Sequence, residues 1–140
     1  PKRDMVLTAL AGPFSNLVLA LAALILEWIL RLLFSLYSAP AVLWYLPLLL
    51  EYVAVINTGL AVFNIIPISP LDGSKVLLAF LPTRAYMKWM RYEHYGMFVL
   101  MALLLLGILD GPLQYLRNVV YALLNFVSIW PARWLAMLLG

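Results

Sequence analysis

Apolar residues run along this chain in blocks too long for a soluble fold, and the polar positions between them fall in a few short clusters. The first block runs from Met5 to Leu26 without a charge. As a helix it reaches ~33 Å, enough to cross a hydrocarbon core of about 30 Å. Glu27 and Arg31 follow as an i,i+4 pair in the order that favours a helix. Ser38-Ala39-Pro40 makes an uncharged connection, Trp44 and Tyr45 mark a membrane interface, and Leu48 to Ile66 forms a second block. An antiparallel pair of such spans brings Glu27, Arg31 and Glu51 to one membrane face, where they read as an interfacial charge cluster.

The second block ends in NIIPISPLDG, Asn64 to Gly73. After it, the pattern predicts a short helix from Lys75 to Leu81, capped by Ser74 and ended by Pro82. Thr83 to His94 is the most polar connection, with Arg84, Lys88, Arg91 and Glu93 among Tyr86, Trp89 and Tyr92. A third run, Tyr95 to Leu109, is short but able to cross with help from its flanking aromatics, and Asp110-Gly111-Pro112 ends it. Leu113 to Leu139 carries Arg117, Asn118, Asn125, Pro131 and Arg133, and its pattern fits either a poor span or an interfacial helix.

Composition turns these blocks into a class. Of 140 residues, 66% are hydrophobic and 11% charged, with a mean hydropathy of +1.03, whereas soluble domains carry about 25% charged residues. The expected fold is therefore all-α: a multi-pass transmembrane helical bundle of three to four spans, forming a single transmembrane domain over residues 1–140. Cysteine is absent, which excludes thiolate metal sites and cysteine nucleophiles within this segment. Lys2, Arg3, Arg84, Lys88 and Arg91 fall on what two antiparallel spans make a common side, and the positive-inside rule makes that side cytoplasmic. Basic residues interleaved with aromatics also occur in nucleic-acid binders, but flanking apolar spans make this cluster an interfacial membrane anchor in contact with lipids. The sequence does not specify an oligomeric state. The abrupt start at Pro1-Lys2-Arg3-Asp4 reads as the start of a fragment.

Chemistry concentrates where a carboxylate interrupts apolar sequence. Asp72 is open to four readings: metal ligand, proton-relay carboxylate, helix cap, or partner of Lys75 in an ion pair. Pro67 and Pro70 remove two backbone donors and are expected to keep the chain extended, Gly73 permits a tight turn, and Asn64 offers an amide beside the same break. Irregular backbone at membrane depth is tolerated only against protein or a polar cavity, so the string is expected to hold its carboxylate in a protein-lined cavity. Upstream, Ala11-Gly12-Pro13 allows close backbone approach, with Pro13 expected to begin or kink a helix. Asn16 one turn later reads on spacing alone as a residue that hydrogen-bonds a neighbouring helix or backbone.

With AGPFSN at Ala11 to Asn16 and N-x-x-P-x-x-P-L-D-G at Asn64 to Gly73, preceded by Asn57-Thr58-Gly59, the chain resembles the site-2 protease family of intramembrane zinc metalloproteases. The resemblance covers Met5 to Leu81 and is closest to small bacterial and archaeal members. It implies that Asp72 is a zinc ligand beside the two histidines of an H-E-x-x-H helix, with water in the fourth position brought towards a pKa of about 7. The motif glutamate would serve as general base. Asn64 would position substrate or stabilise the oxyanion, and Asn16, Gly12, Pro13, Asn57, Pro67, Pro70 and Gly73 would contact substrate or shape the motif.

No H-E-x-x-H occurs here. The sole histidine, His94, reads as interfacial. The histidine pair is thus expected upstream of Pro1, leaving this segment with one zinc ligand of three and no proteolysis by itself. The parent protein is expected to hydrolyse transmembrane protein substrates, in a plasma membrane with the LDG end towards the cytoplasm. The competing reading is a non-catalytic membrane protein, either a degenerate relative that binds transmembrane partners or a transporter-like bundle.

Overall fold

The computed structural model describes residues 2–68 and 70–140. Pro1, on which the fragment reading starts, and Ser69, inside the NIIPISPLDG string, lie outside the described residues. The described chain is all-α: α1 (Lys2–Leu36), α2 (Tyr45–Ile65), α3 (Asp72–Phe80), α4 (Thr83–Tyr92), α5 (Gly96–Leu105) and α6 (Asp110–Leu139), with 3₁₀ turns at Ala41–Trp44 and Glu93–Tyr95. No strand occurs among the described residues. Three helical segments are long and apolar enough to cross a membrane: Lys2–Leu36, Ala41–Ile65 and Asp110–Leu139.

Several boundaries differ from the sequence expectations. Pro13 does not begin a helix, since α1 starts at Lys2 and runs on through it. The third segment long and apolar enough to cross is α6. α5 has 10 residues, about 15 Å of helix and half the hydrocarbon thickness. It stops early because Gly107 adopts φ +69°. The Ile108 and Gly107 amides then bond back to the Leu103 and Leu104 carbonyls at 3.2 and 3.1 Å, the paired arrangement of a Schellman cap. Asp110-Gly111-Pro112 opens α6: an acid suits a helix start, and proline in a first turn sacrifices no hydrogen bond. The polar stretch after Pro82 is likewise mostly helix, α4, because its apolar and basic residues each recur at helical spacing.

Contacts divide the chain into two units, Pro1–Ser15 with Leu60–Arg117, and Asn16–Gly59 with Asn118–Gly140. In the second unit, Ala20, Ala23, Leu24 and Ala54 form a buried core against which Leu50, Tyr121 and Leu124 pack. Alanines let helix backbones approach closely, which drives association where there is little water to expel. Trp28 Nε1 donates to Asn125 Oδ1 at 2.9 Å. Arg31 joins Glu27 at 2.8 Å and Glu51 at 3.3 Å, forming the cluster that the spacing predicted. Buried Thr58 and Ser128 turn their hydroxyls back onto the Ala54 and Asn125 carbonyls at 2.7 and 2.8 Å.

The first unit holds the break between α2 and α3. Its backbone is turned, not extended: the Ile68 amide bonds to the Ile66 carbonyl at 2.8 Å, and the Leu71 amide to the Ile68 carbonyl at 2.8 Å. Pro67 and Pro70 have no amide to leave unpaired, and this is why turns suit them here. Leu71, not Ser74, is the N-cap of α3. Ser74 lies inside the helix and donates its hydroxyl to the Leu71 carbonyl at 2.7 Å, so the helix starts earlier than the capping pattern suggested.

Candidate active site

Close packing at Gly73 fixes the site. A Cβ there would collide with the Ile65 and Ile66 carbonyls, so only glycine lets the first turn of α3 sit against the end of α2. That contact leaves Asp72 in the first turn of α3, where the partial positive charge of a helix N-terminus favours a carboxylate. One Asp72 oxygen, Oδ1, meets Lys75 Nζ at 3.2 Å. The other, Oδ2, lies over Gly12 of α1, where an added Cβ would stand only 2.9 Å away. Of the four readings of Asp72, the lysine ion pair is present and the N-cap is not.

Asn64 on the last turn of α2 lines a pocket of about 290 Å³ together with Pro13, Pro67, Gly73, Leu10 and Phe80. Both sequence blocks therefore converge in one unit: Pro13 from the first, and Asn64, Pro67 and Gly73 from the second. Gly12 joins them through its contact with Asp72. Asp72 is not part of the pocket lining; it is about three-tenths exposed at its side chain, beside the pocket wall and not enclosed by it. Pro70 is exposed and does not line the pocket either. Asn16 and Asn57 belong to the other unit, where the Asn57 amide donates to the Val53 carbonyl of its own helix at 2.8 Å. Val76, Leu77 and Phe80 of α3 complete the pocket. Their helical spacing, with Leu77 one turn after Gly73, was a signal in the sequence that the motif reading passed over.

A zinc metalloprotease implies a zinc ion, and catalytic zinc takes three protein ligands and a water. Asp72 offers a suitable oxygen donor. Among the described residues, however, no three His, Cys, Asp or Glu side chains come together as a metal-binding group, so these residues alone do not complete such a site. His94 is exposed and stacks on Tyr95 with ring centroids 4.0 Å apart.

The profile of peptidase family M50 matches residues 29–107, more than half of the chain and all of Asn64 to Gly73. The chain belongs to peptidase family M50, the site-2 protease family. The M50 match does not include Ala11 to Asn16, so the pocket, through Pro13, and the Gly12 contact supply the link between that block and the family motif. A Bacillus subtilis (strain 168) protein named "Putative zinc metalloprotease YwhC" is 29% identical over 106 residues, 74% of this chain and 47% of that protein. The chain thus spans about half the length of the curated relative it matches. No solved structure matches. M50 membership and three helices able to cross a membrane make this an integral membrane protein of metalloprotease kinship.

Proposed function

We propose that this chain forms the Asp72 side of the active site of an intramembrane zinc metalloprotease, which hydrolyses peptide bonds of membrane-embedded protein substrates. The observation that carries the reading is the convergence of the two motif blocks: Asn64, Pro13, Pro67 and Gly73 line one pocket, and the Asp72 carboxylate rests on Gly12. In this reading Asp72 is one zinc ligand, and two histidines of an H-E-x-x-H helix come from sequence outside residues 1–140. The relative's greater length is consistent with that arrangement. Residues 1–140 alone are then inactive.

The pocket suits a substrate chain drawn out of helical form. Its walls are apolar except for Asn64, so an apolar side chain is accepted while the Asn64 amide faces the substrate backbone. A helical substrate must unwind before its amide is open to attack, because its carbonyls are already hydrogen-bonded along the helix. An amide donor at that point stabilises developing oxyanion charge without titrating.

The test uses the full-length protein in lipid with a transmembrane substrate. Asp72→Ala is expected to abolish cleavage and lower bound zinc while leaving membrane insertion intact. Asn64→Leu is expected to retain zinc and lower kcat by about 10²–10³, the usual cost of one lost oxyanion donor. Cleavage by Asp72→Ala at normal zinc content would contradict the assignment.

A further inference from the structure

We propose that α4 and the start of α5 form a binding site for an anionic phospholipid, with the headgroup on a basic stripe and an acyl chain in an adjoining apolar hollow. Two neighbouring depressions carry the argument. One, of about 510 Å³, is lined by Ile68, Leu81, Ala85, Trp89, Tyr92 and Val99 together with Lys88 and Glu93. The other, of about 660 Å³, brings together Thr83, Arg84, Lys88 and Arg91. Lys88 and Tyr92 line both, so the cationic and apolar hollows meet along one edge.

The geometry of α4 explains the division. Arg84, Lys88 and Arg91 stand at i, i+4 and i+7 and share one stripe, while Ala85, Trp89 and Tyr92 repeat the same spacing one residue later. Among the described residues, none of the three cations is in an ion pair with an acidic side chain. Their charge is therefore available to an external anion. Glu93 is the one acid in the apolar hollow, and it opposes an anion placed there, which assigns the headgroup to the Thr83 side. A ligand that fits has a compact anionic head and a long apolar tail. In a chain that spans a membrane, this is the chemistry of an anionic phospholipid, and Trp89 and Tyr92 are the side chains favoured at headgroup depth.

The experiment equilibrates the purified full-length protein in detergent with equal amounts of phosphatidylglycerol and phosphatidylcholine and reads retained lipid by native mass spectrometry. Phosphatidylglycerol is expected to be retained preferentially, and each cation removed is expected to weaken the preference about fivefold. The triple variant Arg84→Gln, Lys88→Gln, Arg91→Gln should abolish the preference. Val99→Trp, which fills the apolar hollow from a half-exposed position, should lower retention of both lipids. Circular dichroism and a monodisperse elution profile check that each variant is folded. Equal retention of the two lipids, a preference that survives the triple variant, unchanged retention in Val99→Trp, or a co-purifying polypeptide in place of lipid would each overturn the proposal.

Discussion

Two glycines in the motif region have different jobs, and the atoms that an added methyl would meet separate them. At Gly73 the obstacles are the Ile65 and Ile66 carbonyls, which are backbone and cannot yield without dismantling the turn between α2 and α3. Gly73→Ala is expected to destabilise the protein by on the order of 3 kcal/mol, visible as a lower unfolding midpoint in a detergent thermal-shift assay. At Gly12 the obstacle is the tip of the Asp72 side chain at 2.9 Å, a flexible end that can shift at the cost of its exposed Lys75 contact. Gly12→Ala is therefore expected to leave stability within about 1 kcal/mol of the parent while displacing the carboxylate. In the full-length protein, that displacement should lower zinc content at an unchanged unfolding midpoint. The sequence made both glycines visible as parts of motifs. It could not distinguish their roles, because the atoms opposite a Cβ are set by folding: for Gly12 a side chain 60 residues away, for Gly73 the carbonyls of a turn only seven and eight residues back.

At the scale of elements, the first two long helices and the short helix after the LDG turn were legible, whereas the third apolar run read as too long and the last helix was left open; Ser38 and Gly107 show why the third run misled. Each follows a helix end in the left-handed region, at φ 50° and φ +69°, with the amide three residues past the last helical residue bonded back into the helix: Ala39 to Phe34 at 2.9 Å and Ile108 to Leu103 at 3.2 Å. The uncharged connection at Ser38-Ala39-Pro40 was foreseeable from its composition. Gly107 sits in an uncharged apolar stretch, with Leu103 to Leu106 before it and Ile108 and Leu109 after it, and hydropathy carries no signal for a backbone reversal inside such a stretch, so α5 read as longer than it is. The charged trio Glu27, Arg31 and Glu51 was readable because i,i+4 spacing fixes one pair and an antiparallel hairpin fixes the third member. The caps also make an asymmetric prediction. Gly107→Ala forces a Cβ into left-handed backbone and should cost about 1 kcal/mol, whereas Ser38→Gly relieves the same strain and should stabilise by up to about 1 kcal/mol. Unfolding midpoints measured side by side in one detergent check both signs.

At the scale of the whole molecule, the number of crossings determines which side each connection faces. If Lys2–Leu36, Ala41–Ile65 and Asp110–Leu139, the three segments long and apolar enough to cross, all span, the 37–40 connection would face the opposite side from residues 66–109, and the C-terminus would share its side. The basic residues Lys2, Arg3, Arg84, Lys88 and Arg91 would then fall together, and the positive-inside rule leads us to propose that their side is cytoplasmic. Had α5 been a span and the last segment interfacial, the C-terminus would share the 37–40 side all the same, so a reporter at Gly140 alone does not separate the two arrangements. A position between α5 and α6 does. Because the chain has no cysteine, single cysteines report sidedness without background. A membrane-impermeant maleimide applied to intact cells is expected to label Ser38→Cys but neither Lys88→Cys nor Leu109→Cys, while permeabilised cells should label all three. External labelling of Leu109→Cys together with protection of Lys88→Cys would make α5 a crossing, in conflict with its 10-residue length, and would require α6 to lie along the membrane surface or cross again.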